Sequence, residues 1–247
     1  MSHLQDQTAI ITGASSGIGK EIATKLAQQG ANVVLAARRV ERLEELKKEI
    51  EQTTSAKVLV VKTDVRDRED VENMYKQAKD EFGKIDIYVN NAGVMLLSFL
   101  EKDKVEEWDV MVDVNVKGVL YGIHAALPSM LKQDSGHIVN ISSVAGHEVF
   151  PSSVVYSATK YAVRAISMGL EKELANTNIR VTNISPGAVD TELTHHITDQ
   201  TVIDNFKDKN QGRKILEPTD IAKAVAYAVT QPEYVNVNEI IVRPSKK

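Results

Sequence analysis

Tyr156 and Lys160 lie four residues apart in Tyr156-Ser157-Ala158-Thr159-Lys160, and on a helix that spacing puts both on one face. A phenol titrates near about 10; a fixed ammonium beside it favours the phenolate, whereas burial pushes the other way. Bringing the phenol to neutrality takes roughly 4 kcal/mol, which one cation in a partly desolvated cleft could largely supply. The pair is a candidate acid/base. Spacing alone does not establish it, because a Tyr and a Lys one turn apart also occur by chance on surface helices.

A second constellation is Thr12-Gly13-Ala14-Ser15-Ser16-Gly17-Ile18-Gly19, between a short apolar run and a helix-period segment. Glycines there let the backbone turn tightly and approach a pyrophosphate, whose charge a helix N-terminus stabilises; a bare strand-to-helix turn is the plainer alternative. About twenty residues on, Leu35-Ala36-Ala37-Arg38-Arg39 carries no carboxylate where one would bind the ribose hydroxyls of NAD. Two guanidiniums suit a 2′-phosphate instead, which favours NADP over NAD. Arg38 and Arg39 could also be solvated members of a charged helix face, a reading that fits Arg39 better than Arg38.

Further polar residues fall where strands should end. Asp64-Val65 follows one, with Asp64 equally suited to cap the next helix. Asn90-Asn91-Ala92-Gly93 follows another, as a loop-fixing turn or a cofactor contact. Ser142-Ser143 follows a third, where a hydroxyl could meet a carbonyl or simply make a turn. Asn115 interrupts an apolar helical pattern, as a satisfied core amide or part of a polar network. His195 and His196 are adjacent, which points them apart on a helix, so no metal is expected. With no Gly-x-Ser-x-Gly elbow and no His placed as its base, a hydrolase reading is poor.

The elements that must position these residues are legible as alternation. Strand-length apolar runs near Ala9 to Ile11, Asn32 to Ala36, Val58 to Lys62, Ile85 to Val89, His137 to Ile141, Arg180 to Ile184 and Glu239 to Val242 alternate with helix-period segments. The helical segments are Ile18 to Gln29, Val40 to Gln52, Arg68 to Phe82, Lys104 to Lys132, Ser153 to Ala175 and Thr219 to Thr230. This is the pattern of repeated βαβ units around a parallel sheet, most strands apolar on both faces. Nothing divides residues 1–247, so one domain is expected, with an irregular stretch from Asp190 to Glu217 whose part over 190–213 suits a lid.

Composition bounds the partners. A net charge of −4 gives no footprint for nucleic acid or anionic lipid, and the absence of cysteine excludes disulfides and thiolate chemistry. The N-terminus has no signal-peptide pattern and no later apolar run promises a bilayer span, so a cytoplasmic protein with neither membrane nor nucleic-acid partner is expected.

Taken together, Thr12-Gly13-x3-Gly17-x-Gly19, Asn90-Asn91-Ala92-Gly93, Asn115, Ser143, Tyr156-x3-Lys160 and Pro186-Gly187 resemble the short-chain dehydrogenase/reductase family over nearly the whole chain. The resemblance is greatest to NADP-preferring bacterial 3-hydroxy-acid and serine dehydrogenases and related aldehyde and ketone reductases. It implies a doubly wound α/β Rossmann fold with a seven-stranded parallel sheet of order 3-2-1-4-5-6-7, in a homodimer or homotetramer. It implies carbonyl/alcohol interconversion with Tyr156 as acid/base, Lys160 lowering its pKa and holding the nicotinamide ribose, and Ser143 orienting the carbonyl. Asn115 would hold a water that resupplies protons. NADP (NADPH) would contact Gly13, Ser15, Ser16, Gly17, Ile18 and Gly19 on the first turn, and Arg38, Arg39, Asp64 and Val65 at the adenosine end. Asn91, Ala92, Gly93, Tyr156, Lys160, Pro186, Gly187, Val189 and Thr191 would complete its site. The substrate wall would come from Val94 to Leu97, His147 to Phe150, Ala188 and the lid, where Lys207, Lys209 and Arg213 could reach inward. A catalytically silent NADP-binding sensor or scaffold is the alternative from another class.

Overall fold

Ala9, Ile10 and Ile11 are all fully buried, yet they feed two different cores: Ala9 and Ile11 face one side of the sheet and Ile10 the other. That is the period-two alternation of a strand covered on both faces. The computed structural model describes residues 4–210 and 214–245, the side chains of 206–210 excepted. Seven parallel strands carry the fold: β1 (Thr8–Thr12), β2 (Asn32–Ala37), β3 (Val58–Lys62), β4 (Ile87–Asn90), β5 (Gly136–Ile141), β6 (Ile179–Pro186) and β7 (Glu239–Val242), in the order β3-β2-β1-β4-β5-β6-β7. Their crossovers are α1 (Gly17–Gln28), α2 (Val40–Thr53), α3 (Arg68–Phe82), α4 (Val105–Val112), α5 (Gly118–Gln133) and α6 (Val154–Glu173), followed by α7 (Gln200–Asn210) and α8 (Pro218–Val229). This is the expected doubly wound Rossmann arrangement.

One core packs Ile22, Leu26 and Leu46 of α1 and α2, with Ile221 and Val225 of α8, on Ile11, Val33 and Leu35. The other packs Val71 and Met74 of α3, Ile123 and Met130 of α5, and Val163 and Leu170 of α6 on Ile10 and Val34. Each such side chain removed from water contributes about 1.5–3 kcal/mol, which makes the two layers a rigid platform.

Four details depart from the sequence expectations. The segment read as one helix from Lys104 to Lys132 is α4 and α5 joined by a π turn over Asp113–Lys117. Helical throughout, Val105–Gln133 is long and apolar enough by length and composition to cross a bilayer, with a mean hydropathy of 1.2 over its 18-residue window. In this fold, however, Gly118, Gly122, Ala126 and Met130 are buried within the molecule. The stretch between Asp190 and Glu217 is not wholly irregular, since it holds a 3-10 turn at Glu192–His196 and α7. β7 is only half covered, with Ile241 47% exposed, because it is the last strand of the sheet.

The strand ends fix the place of the site. β1, β4, β5 and β6 all present their carboxyl ends along one edge, where the order reverses between β1 and β4. An open α/β sheet forms its crevice there.

Candidate active site

Thr12 closes β1 and stitches it to β4: its hydroxyl donates to the Val89 carbonyl at 3.2 Å and accepts from the Asn91 and Ala92 N–H groups at 3.0 and 3.1 Å. Asn91 answers by donating Nδ2 to the Thr12 carbonyl at 2.8 Å. The turn that follows has no room for a side chain at Gly13 or Gly19. Gly13 has φ +67°, and a Cβ at Gly19 would lie 2.4 Å from the Gly13 carbonyl and 2.5 Å from Asn91 Nδ2. At the start of α1, Ser16 makes no side-chain cap, so the first-turn N–H groups at Gly17, Ile18 and Gly19 lack that partner. A bare backbone cradle against a helix N-terminus fits a pyrophosphate.

The arginines divide differently from the sequence expectation. Arg39, the one read more readily as a solvated helix residue, folds back over the turn. It donates Nε and Nη2 to Ser15 Oγ at 3.2 and 3.1 Å, and Nη2 to Ser16 Oγ at 2.7 Å. Its Nη1 reaches Glu192 at 2.9 Å, and Arg42 holds the same carboxylate at 2.8 Å. Arg38 is exposed, and its charge helps hold Asp64 below the usual carboxylate range. The main cause there is Arg66, paired with Asp64 at 2.6 Å. Asp64 does not cap α3; Asp67 does, accepting from the Glu69 and Asp70 N–H groups. Val65 packs against the start of α5, where a Cβ on Gly118 would come within 3.1 Å of it.

Asn115 lies in the π turn, 1% exposed, and every hydrogen on its amide is engaged. Nδ2 donates to the Val94 carbonyl at 2.9 Å and to Thr159 Oγ1 at 3.1 Å, and Oδ1 accepts from the Val94 N–H at 2.9 Å. It is both a satisfied buried amide and a network member. Gly93 sits beside it, and a Cβ there would stand 3.4 Å from Asn115 Oδ1 and 3.7 Å from Lys160 Nζ.

Tyr156 and Lys160 lie on the first turns of α6, both buried, with Nζ 5.8 Å from the phenol ring centre. Lys160 donates to the Ile141 carbonyl at 2.9 Å, which anchors it to the end of β5. Burial pushes the Lys160 pKa down to about 8. Burial also pushes Tyr156 up to about 12, with the Ser143 hydroxyl pulling the other way. This departs from the expected net lowering by the Lys160 charge: desolvation of the phenolate is the main cause, and the opposing pull comes from Ser143. Ser143 itself accepts from the Ala145 N–H at 3.1 Å and lies 3.5 Å from the Pro186 carbonyl.

Beyond Pro186, the Gly187 N–H bonds to the Val242 carbonyl and Val189 bridges to Leu216. Thr191 then reaches the glycine turn, 3.2 Å from where a Gly17 Cβ would be. The wall around Tyr156 is apolar: Leu97, Met111 and Ala145 with Ile197 and Val202 from the segment after Thr191. Three expected wall positions are not part of that apolar cluster. His147 turns to Ser185 Oγ at 3.0 Å and Glu239 at 3.3 Å, while Phe150 and Ala188 are exposed. Arg213 and the side chains of Lys207 and Lys209 lie outside the described residues. Sequence reasoning missed Thr159, Met111, Trp108 (which packs against the apolar wall) and Glu192. The first three carried only a helix-period signal, and Glu192 carried none.

A family model described as short chain dehydrogenase matches residues 7–202. The chain belongs to that family. An oxidoreductase of Staphylococcus aureus (strain USA300), itself uncharacterized, is 52% identical over 246 residues, covering 99% of this chain and all of that one. Among solved structures, the short-chain dehydrogenase fold recurs in the closed form of a serine dehydrogenase complexed with NADP+. The TM-score is 0.89 and the identity 37%, over 96% of this chain and 95% of that one. An alcohol dehydrogenase from the archaeon Thermococcus sibiricus, complexed with 5-hydroxy-NADP, gives 0.86 and 32% over 98% and 97%. A short chain dehydrogenase/reductase from Burkholderia phymatum in complex with NAD gives 0.88 and 29% over 98% and 90%. This short-chain dehydrogenase is accordingly an oxidoreductase with a dinucleotide-type fold.

Proposed function

We propose that this short-chain dehydrogenase uses NADP(H) to interconvert a small aldehyde or ketone and the corresponding alcohol, with Tyr156 as acid/base. The observation that carries the reading is the convergence of Tyr156, Ser143 and Lys160 at the carboxyl ends of β5 and β6, beside the glycine turn. Bound there, the cofactor supplies the hydride. As a phenol Tyr156 can donate its proton to a carbonyl oxygen in reduction, and as a phenolate it can take that proton back in alcohol oxidation. Ser143 offers a second hydroxyl to the same oxygen and steadies developing negative charge. Lys160, charged below about pH 8 and anchored on Ile141, keeps a cation beside the phenol and can hold a ribose hydroxyl. Asn115 has spent both amide hydrogens, so it can offer a proton-relay water only an acceptor.

Gly13, Ser16, Gly17, Ile18 and Gly19 suit the pyrophosphate, and Ser15 with Arg39 suits the 2′-phosphate, with Arg38, Asp64 and Val65 at the adenosine end. Asn91, Ala92, Gly93, Pro186, Gly187, Val189 and Thr191 would line the nicotinamide side. NADP+ on the similar serine dehydrogenase and 5-hydroxy-NADP on the archaeal enzyme support that choice, and NAD on the Burkholderia relative names the competitor. The whole chain acts as one catalytic domain in the cytoplasm, the lid over residues 190–213 closing it. It works as a homodimer or homotetramer, the assembly that the family resemblance implies.

The test is a panel of aldehydes, ketones, 3-hydroxy acids and serine with NADP(H) and NAD(H). Turnover with an NADP(H) preference is expected. Tight NADPH binding without turnover on any of them would instead support the sensor or scaffold.

A further inference from the structure

Glu192 is a lone carboxylate on the 3-10 turn just after Thr191, and it crosses to the far side of the glycine turn to meet two guanidiniums. Arg39 has every nitrogen engaged: Nε and Nη2 on Ser15 and Ser16, and Nη1 on Glu192 Oε2 at 2.9 Å. Arg42 Nη1 meets both carboxylate oxygens, at 2.8 and 2.9 Å. The geometry therefore has an anion already in the hand of the arginine that reaches the turn, with a second arginine ready to keep that anion if the first lets go.

We propose that Glu192 is an internal stand-in for the cofactor's 2′-phosphate: it occupies Arg39 until NADP(H) binds, is then left to Arg42, and so sets how tightly and selectively the phosphate-bearing cofactor is held. The inference rests on the reading above that Arg39 receives that phosphate. Three physical points favour the exchange. Phosphate monoesters carry close to two charges at neutral pH, against one on Glu192, so the phosphate wins a contest for one guanidinium. All three side chains are 39–45% exposed, so each carboxylate contact is screened and inexpensive to break. Arg42 keeps Glu192 paired after the exchange, so no carboxylate is stranded. Glu192 is ionised throughout the neutral range, its pKa held down to about 2 by Arg39 and then Arg42. NAD(H) brings no phosphate to Arg39 and leaves the contact intact.

The experiment measures NADPH and NADH dissociation constants by cofactor fluorescence on the full chain, for wild type, Glu192→Gln and Arg39→Ala. Glu192→Gln is expected to tighten NADPH about three- to tenfold and to change NADH less than about twofold. Unchanged or weaker NADPH binding, or equal tightening of both cofactors, overturns the proposal. Arg39→Ala tests the underlying reading separately. If it narrows the preference for NADPH over NADH, Arg39 is the phosphate's receiver and the Glu192 result stands on its own. A preference left intact by Arg39→Ala overturns the reading of the phosphate site, and the proposal with it.

Discussion

Asn115 Nδ2 donates to Thr159 Oγ1 at 3.1 Å, and Thr159 Oγ1 in turn donates to the Tyr156 carbonyl at 2.7 Å. The π turn between α4 and α5 is thereby tied to the first turns of α6 and, through Val94, to the loop after β4. Replacing Asn115 with Leu leaves the Val94 N–H and carbonyl and the Thr159 hydroxyl without this partner. The expected cost is about 3 kcal/mol of unfolding free energy, read from urea denaturation. A loss under about 0.5 kcal/mol would mean that water replaces the amide and that the tie is not structural.

Tyr156→Phe removes one hydroxyl from an apolar wall and leaves the glycine turn and Arg39 untouched. The expected result is a fall in kcat of about 10²- to 10⁴-fold with NADPH affinity unchanged within about twofold. Full turnover in this variant would remove Tyr156 from the chemistry.

Gly19→Ala puts a methyl group 2.4 Å from the Gly13 carbonyl, part of the backbone cradle, and 2.5 Å from Asn91 Nδ2, which braces it. Neither neighbour is the loose end of a flexible side chain, because Asn91 is bonded to Thr12. A stability loss of about 2–3 kcal/mol together with loss of measurable NADPH binding is expected, by thermal denaturation and cofactor fluorescence. Normal NADPH affinity would show that the turn can open at this point.

His137 is buried with Nε2 2.7 Å from Thr182 Oγ1. That hydroxyl gives its hydrogen to the Val237 carbonyl, so Nε2 must be the protonated nitrogen and Nδ1 has no partner. Burial pushes the imidazole pKa down to about 3 from 6.5. The unfolded chain binds the extra proton first, so the stabilising effect of this neutral histidine is complete above 6.5 and lost as pH falls from 6.5 toward about 3. Between pH 7 and 5 the loss is about 2 kcal/mol. Urea midpoints over that range should fall for wild type and fall less for His137→Gln; parallel curves would remove His137 as the cause.

Local rules were enough for much of this protein. The seven strands, the glycine turn and the Tyr156/Lys160 spacing follow from short continuous apolar runs, from the steric freedom of glycine and from the pitch of a helix, all of which act within a few residues. The family resemblance followed from the joint order and spacing of such motifs, and the strand order from what that resemblance implies. What only the tertiary structure decided depends on residues far apart in the chain. Arg39 rather than Arg38 covers the turn because Ser15, Ser16 and Glu192 surround it, the last 153 positions away. α7 forms in a polar segment because Val202 joins the buried apolar cluster that includes Tyr156, a docking no local propensity encodes. The balance at Tyr156 is likewise tertiary. Its spacing from Lys160 is written in the sequence, but the burial that raises its pKa is set by Leu97, Met111, Ala145 and Ile197 converging from four separate segments.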